Sequence, residues 1–374
     1  MDADALRLCF EFLRLPDLMR ASCVNREFRR TAREVLHSPE WLRCPWNLQA
    51  VQRKCWTSGR FSRRSFSTAA LNDVFCVCID GHVLASGGLD RRAQLWDLKA
   101  STVTSLTHSS PVRCVTLRHG LLATGCDEGR VRLYSVETAR LLATTQSHAF
   151  AITALKWQCS SPADDERVGR ESMELLSAGV DRHLRRWGSA PAGWAAGLRC
   201  LQEAKHKRVI RSLDCASNLI ASGSDDGVVK VWLRTAEGLG LLQLISLADR
   251  TEDSSAVRTV ALAADHLVAA TMRGGVFVGR RSRRSGLFNL TARLPCPGVL
   301  QAVAFCGPST LITASGRRGT NQLQMWALVE KSAHVITRLD GPMCLVLSLS
   351  AHAGRIVCGD QSGQVQLWEP SIPL

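Results

Sequence analysis

The sequence predicts an all-β fold, a seven-bladed β-propeller, and three observations lead to that prediction. A short segment recurs seven times, a strand-like apolar pattern precedes each copy, and Asp-Gly or Ser-Gly turns follow as they do in hairpins. The chain has 374 residues, of which 45% are hydrophobic, so it can bury a large core. No blade can bury both of its faces alone, so the copies must pack around a closed ring.

The repeated segment reads SGGLDRRAQLWDL in its first copy. The seven copies begin at Ser86, Thr124, Ser177, Ser222, Ala270, Thr313 and Cys358. The anchor position near the end of each copy holds Trp96, Tyr134, Trp187, Trp232, Arg280, Trp326 and Trp368. The strand before each copy carries an apolar pair: Val74/Val77, Val112/Val115, Ile152/Leu155, Ile210/Leu213, Val257/Val260, Leu300/Val303 and Cys344/Leu347. A polar insertion from Ser160 is expected to be a surface loop.

Over residues 60–374 this pattern resembles that of WD-repeat proteins. In that family the last blade borrows its outer strand from the residues before the first blade. Residues 59–70, GRFSRRSFSTAA, are the natural donor here. The resemblance therefore implies a propeller over residues 59–374 that is closed by its own two ends, and truncation at either end is expected to unfold more than one blade.

Three copies place a histidine, a hydroxyl, an acid and an aromatic residue at matching positions. The sets are His108–Thr124–Glu128–Tyr134, His148–Ser177–Asp181–Trp187 and His206–Ser222–Asp226–Trp232. One interpretation of His206, Ser222 and Asp226 is a nucleophilic triad. The other is a buried polar network that fixes each blade. Repetition favours the network, because a hydrolase needs one nucleophile beside one oxyanion hole.

Other signals of chemistry are missing from the sequence. It contains no phosphate-binding loop, no GxSxG and no HExxH motif, so we expect no enzyme activity and no cofactor. The fifteen cysteines include no CxxC pair, which argues against a metal site or a disulfide framework. Free cysteines and the lack of a long apolar run predict a cytoplasmic or nuclear protein that is not embedded in a membrane.

The net charge is +14, from 47 Lys and Arg against 33 Asp and Glu, and the excess is dispersed along the chain. Such charge favours acidic partners of any kind, phosphate groups included, and identifies none of them. The aromatic residues, ten Trp, one Tyr and ten Phe, argue against base stacking and therefore against nucleic acid as the partner.

Residues 1–42 follow a different pattern, with apolar residues at helical spacing. Leu6, Phe10 and Leu13 form one stripe, and Pro16 begins a second helix. The succession resembles an F-box in Phe12-Leu13, Asp17-Leu18, Cys23-Val24, Phe28 and Glu40-Trp41. The Leu-Pro pair that normally opens an F-box has no counterpart, because the chain begins too late. The alternative interpretation is a small helical cap on the propeller.

An F-box ahead of a WD-repeat propeller resembles the substrate receptors of Skp–cullin–F-box ubiquitin ligases. The resemblance implies a helical linker over residues 43–58 and a Skp-type adaptor and a cullin as partners. The adaptor-binding residues are expected to be Leu6, Phe10, Leu13, Pro16, Leu18 and Val24. The alternatives are a scaffold without a ligase role and a basic propeller that binds RNA or chromatin.

An arginine recurs at one position of the strand before the repeat, as Arg113, Arg211 and Arg258. Residues at one repeat position meet at one ring-like place, so these guanidiniums are expected at the mouth of the propeller. F-box receptors that bind phosphorylated segments place arginines at this position, which implies a phosphorylated or acidic protein substrate. Arg273 and Arg317 are expected to join them. The alternative is that each arginine only solvates an exposed strand end.

Overall fold

The computed structural model describes residues 61–68, 72–159, 173–191, 193–235, 237–247, 256–296, 298–316, 321–329, 332–339, 344–352 and 354–370. The expected helical domain (1–42) and linker (43–58) lie outside these residues. The chain divides into two compact units, one of residues 64–352 with 356–367 and the other of residues 1–63 with 353–355 and 368–374. In the described part of the chain, no helix is long and apolar enough to cross a membrane.

Every regular element of the described residues is a β-strand. The first fourteen are β1 (Phe61–Ser67), β2 (Val74–Asp80), β3 (Val83–Gly88), β4 (Arg92–Asp97), β5 (Thr102–Thr107), β6 (Val112–Arg118), β7 (Leu121–Cys126), β8 (Arg130–Ser135), β9 (Leu141–Gln146), β10 (Ile152–Cys159), β11 (Met173–Gly179), β12 (His183–Ala190), β13 (Gly193–Lys205) and β14 (Ile210–Ala216). The others are β15 (Leu219–Ser224), β16 (Val228–Thr235), β17 (Gly238–Ser246), β18 (Val257–Leu262), β19 (His266–Thr271), β20 (Val276–Arg281), β21 (Phe288–Arg293), β22 (Val299–Gly307), β23 (Thr310–Gly316), β24 (Gln322–Val329), β25 (Ser332–Leu339), β26 (Val346–His352), β27 (Arg355–Asp360) and β28 (Gln364–Pro370).

The strands form seven four-stranded sheets, which confirms the predicted seven-bladed propeller. Blades 1 to 6 are β2–β5, β6–β9, β10–β13, β14–β17, β18–β21 and β22–β25, and blade 7 has the order β26-β27-β28-β1. The first strands of neighbouring blades contact one another, and β2 also contacts β26, so the first strands complete a ring. The outer strand of blade 7 is β1, which lies within the expected donor segment.

The junction of blades 7 and 1 resembles the other junctions in its packing. A Cβ added to Gly359 would lie 2.5 Å from Cγ1 of Val74, and one added to Gly223 would lie 2.5 Å from Cγ1 of Val257. Only glycine allows the backbones to come this close. Val74 also belongs to a buried cluster with Val357 of blade 7. The apolar faces are therefore covered by neighbouring blades, as the repeat pattern requires.

The fifth copy and the strand before the seventh copy have different registers from those expected. In blade 5, Leu267 pairs with Gly279, as Ile220 pairs with Trp232 in blade 4. Gly279, not Arg280, therefore occupies the anchor position, because the two hairpin turns have equal length.

In blade 7, the Gln361 N–H donates to the Leu345 carbonyl, as the Asp225 N–H donates to the Val209 carbonyl in blade 4. Val346, the residue after Leu345, is therefore the counterpart of Ile210 and takes the apolar position predicted for Cys344. The prediction was two residues out of register.

Candidate protein-binding site

The first strands of six blades share a β-bulge at one position. The extra residues are Phe75, Arg113, Thr153, Arg211, Arg258 and Gln301. A bulge residue leaves the ladder, so its side chain is aimed away from the regular strand faces. The recurring arginine position is thus a bulge at the start of the first strand. We call this end of the ring the mouth.

Two of the arginines bind carboxylates of their own blades. Arg113 donates from Nε to Asp127 Oδ1 (2.6 Å) and from an Nη to Asp127 Oδ2 (3.1 Å), and its guanidinium lies 4.3 Å from the ring centroid of Phe75. Arg211 makes the same fork with Asp225 at 2.7 and 2.9 Å, and this bonding raises the pKa of Arg211. Both ion pairs are part-exposed. At these two positions the mouth therefore presents arginines whose charge is neutralised by an aspartate.

Sequence reasoning did not find these partners, although a signal was present. Each aspartate lies fourteen residues after its arginine, in the turn between the second and third strands. The bulge brings that turn beside the arginine. An acid at this interval predicts the pairing only when the bulge is known.

Arg258 has a different environment. The residue fourteen positions later is Met272, and an Nη of Arg258 lies 3.4 Å from its sulfur, which is a weak acceptor. The Nε of Arg258 is buried and has no hydrogen-bond partner among the described residues. Burial and the nearby Arg211 lower the pKa of Arg258. Among these three arginines, Arg258 is the one whose fork faces no carboxylate.

The other two predicted arginines are less informative. Arg273 is exposed and follows Met272, in the position that Asp226 has in blade 4. Arg317 lies outside the described residues.

Apolar side chains are exposed at the same end of the sheets. Leu89, Val180 and Met272 occupy equivalent turn positions in blades 1, 3 and 5, and these residues are 45%, 37% and 38% exposed. Phe150, just before β10, is 60% exposed. The mouth therefore alternates apolar turns with the Arg–Asp pairs of blades 2 and 4, and an apolar surface of this kind is typical of a protein-binding site.

One of the three predicted polar networks is complete. In blade 3, His148 bonds Ser177 Oγ through Nε2 (2.7 Å) and Asp181 Oδ1 through Nδ1 (2.8 Å), and the Trp187 indole N–H donates to Ser177 Oγ (2.9 Å). Burial opposes the charge of Asp181, but bonds from His148 and Arg185 outweigh it and hold the pKa of Asp181 well below its usual range.

In blades 2 and 4 the acid does not bond the histidine, so the prediction of a four-residue network was wrong for these two blades. Glu128 binds Arg132 and Ser109 instead of His108, because Arg132 reaches it from the next strand. In blade 4, Asp226 accepts the Val228 N–H (3.1 Å), and Nδ1 of His206 has no hydrogen-bond partner among the described residues.

The remaining bonds of these two networks are present. His108 and His206 bond Thr124 and Ser222 at 2.9 and 2.7 Å. Tyr134 and Trp232 also reach these networks, through His108 Nε2 (3.3 Å) and Ser222 Oγ (2.8 Å) respectively.

Burial dominates the chemistry of the histidines. It lowers the pKa of both His108 and His206 to about 4 and also lowers that of His148. Burial thus favours the neutral form of these histidines, which suits packing, and the hydroxyl of each set is fully buried away from solvent. The arrangement supports the network interpretation over the triad.

Comparison with known proteins agrees with this geometry. The family described as "WD domain, G-beta repeat" matches residues 63–97, 100–135 and 198–232. The chain therefore contains WD repeats at these positions. WD-repeat propellers are generally non-catalytic scaffolds that bind other proteins.

Several known proteins match parts of the chain. Mitochondrial division protein 1 of Vanderwaltozyma polyspora is 22% identical over 206 residues, which is 43% of this chain and 26% of that protein. Autophagy-related protein 16 of Arabidopsis thaliana is 26% identical over 157 residues, 40% of this chain and 28% of that protein. The matches thus span under a third of these relatives' length.

A chain in the crystal structure of the mitotic checkpoint complex has the same fold. Its TM-score is 0.68 at 16% identity, covering 83% of this chain and 95% of that chain. The expected adaptor-binding residues, from Leu6 to Val24, lie outside the described residues, and none of these comparisons bears on them.

Proposed function

We propose that the mouth of this WD-repeat propeller binds a protein segment that presents an anionic group beside apolar side chains. The observation that carries the proposal is Arg258, whose fork faces Met272 where Arg113 and Arg211 face aspartates. A carboxylate or phosphate would give this partly buried guanidinium the bidentate acceptor that it lacks.

The apolar turns define the rest of the ligand. Leu89, Val180, Met272 and Phe150 would be covered by apolar side chains of the bound segment, and burial of such area supplies most of the affinity in protein interfaces. Arg113 and Arg211 would take part in binding as ion pairs with Asp127 and Asp225. An anion of the ligand could reach either guanidinium only by competing with its aspartate. Arg273 and Arg317 are proposed as additional cations at the rim.

For the whole chain, we propose the role of substrate receptor in a Skp–cullin–F-box ubiquitin ligase. The support is the F-box-like succession in residues 1–42 ahead of the propeller, with adaptor contacts at Leu6, Phe10, Leu13, Pro16, Leu18 and Val24. The receptor would supply proximity alone, and the other subunits would transfer ubiquitin. We propose that this takes place in the cytoplasm or nucleus.

A scaffold without a ligase role is the second candidate. It is favoured by the relatives, whose names refer to mitochondrial division and autophagy rather than to ubiquitin ligases. Co-purification of the tagged full-length chain with a Skp-type adaptor and cullin separates the two candidates. The matched control is a shortened, tagged chain that starts at Gly59. Equal recovery of adaptor by the full-length and shortened chains, or by neither, would remove the ligase proposal.

Binding at the mouth is tested with a degenerate peptide library that carries a fixed phosphoserine, compared with the same library carrying alanine. The Arg258→Glu variant is expected to bind the selected phosphopeptides with an affinity lower by at least about tenfold, because it removes a charged hydrogen-bond partner. Met272→Asp, which gives Arg258 a carboxylate partner as Arg211 has in blade 4, is expected to weaken binding of the phosphopeptides as well. Retention of full affinity by both variants would exclude Arg258 as the anion-binding residue.

A further inference from the structure

A second concentration of arginines lies far from the mouth, at the end of β20 and in the turn that joins β20 to β21 of blade 5. We call residues 280–286 the arginine turn; its basic residues are Arg280, Arg281, Arg283 and Arg284. Strands of a blade run alternately to and from the mouth, so this turn is at the opposite end of the sheet from Arg258. Four of the chain's 47 Lys and Arg residues therefore lie together at this tip.

The arginine turn is held in one shape by its own hydrogen bonds. The Gly286 N–H donates to the Ser282 carbonyl (2.9 Å), and the Ser285 N–H donates to Ser282 Oγ (3.3 Å). Nε of Arg281 donates to the Gly286 carbonyl (3.0 Å). Gly286 has φ of 70°, which favours glycine. The apex, Arg283 and Arg284, is therefore presented to solvent on a preformed support.

No carboxylate of the described residues forms an ion pair with any of the four arginines. The corresponding turns of blades 1 and 2 differ, because each carries one acid and one base: Asp97 with Lys99, and Glu137 with Arg140. Four unneutralised guanidiniums within one turn repel one another, and a nearby anion would relieve that repulsion.

We propose that the arginine turn binds a glutamate- and aspartate-rich segment of a protein partner. Guanidinium forks match carboxylates in pairs, and a turn of this length fits a short run of them. The large apolar side chains that are exposed in the described chain include none from this turn. It therefore offers no aromatic platform for stacked bases and no apolar group to insert into a lipid surface. This site is separate from the mouth and does not depend on what the mouth binds.

The test uses the full-length chain and a fluorescently labelled octaglutamate peptide, followed by anisotropy at low ionic strength. The Arg283→Glu/Arg284→Glu variant is compared with Lys99→Glu/Arg140→Glu, which makes the same change of net charge in the equivalent turns of blades 1 and 2. Thermal unfolding of each variant reports whether it is folded. A neutral octaglutamine peptide and a single-stranded RNA dodecamer are run beside the acidic peptide.

We expect the arginine-turn variant to lose octaglutamate affinity by roughly tenfold and the control variant by less than about twofold, with salt weakening the wild-type complex. Equal losses in both variants would show a response to net charge alone and would overturn the proposal. Tighter binding of the RNA than of the peptide, lost in the same variant, would assign the turn to nucleic acid instead. An Arg258→Glu variant that keeps octaglutamate binding would show that the two sites are independent.

Discussion

Blades 3 and 5 achieve the same fold with different chemistry. Blade 3 joins its turn to its second and third strands through His148, Ser177, Asp181 and Trp187. The positions of the last three hold Ala269, Arg273 and Gly279 in blade 5, which relies on buried apolar residues such as Val268 and Val276. A blade can therefore be fixed by a polar network or by apolar packing alone, since its neighbours supply the burial in either case.

The difference has a functional side. In blade 5 the turn that would carry aspartates carries Met272 and Arg273, so the guanidinium of Arg258 faces the Met272 sulfur and no carboxylate. The blade that has lost its network is also the one with the arginine turn. Arg258 and the arginine turn thus lie in the same blade, and a set of variants can show whether the packing of blades 3 and 5 differs as described.

The largest expected effect is the loss of the blade 3 anchor. Trp187 is buried and donates to Ser177, so Trp187→Ala is expected to lower the free energy of unfolding by about 3–5 kcal/mol. Urea denaturation followed by far-ultraviolet circular dichroism measures the change. Val278→Ala in blade 5 removes a smaller buried side chain and is the comparison. Equal losses in the two variants would contradict a special role for the anchor.

Acid should also act on the blades that hold buried histidines. The pKa values of His108 and His206 are about 4 in the folded chain, against about 6.5 in an unfolded one, so the folded state binds fewer protons between these values. The free energy of unfolding is therefore highest above pH 6.5 and decreases as the pH falls toward 4. Each histidine is expected to lower the free energy of unfolding by roughly 3 kcal/mol over that interval.

Thermal unfolding from pH 7 to 4 measures this dependence. The His206→Gln variant, which cannot be protonated in that interval, is expected to show a shallower decline than the wild type. A decline of equal slope in both proteins would place the acid sensitivity elsewhere in the chain.

The two turn acids of blades 3 and 4 should differ in a third measurement. Asp181 binds His148 and Arg185, so Asp181→Asn is expected to cost about 1.5–3 kcal/mol, the range for hydrogen bonds to charged groups. Asp226 accepts only the Val228 N–H in its network, so Asp226→Asn is expected to cost under about 1 kcal/mol. Urea midpoints measure both, and the reverse order would show that the blade 4 acid reaches His206 in solution.

Sequence reasoning succeeded where the repeat period fixes the answer and failed where geometry within a repeat decides it. Seven copies with apolar pairs predicted the blades, because periodic burial is visible in a single sequence. The bulge that turns Arg113 toward Asp127 has no such signal, since one extra residue does not change the apolar pattern. The sequence also could not predict that Asp226 does not bond His206, because equal spacing does not fix where a side chain points.

The smallest expected effect concerns the empty anchor of blade 5. An added Cβ on Gly279 would lie 3.4 Å from Cδ2 of Leu290, which is an ordinary contact, and its backbone is not in the left-handed region. Gly279→Ala should therefore raise the free energy of unfolding by about 0.5–1 kcal/mol, because it restricts the unfolded chain and fills space in the strand. The urea midpoint measures this gain. A loss of stability would contradict this expectation. It would mean that the close approach of the blade 5 backbone to β21 requires glycine at this position.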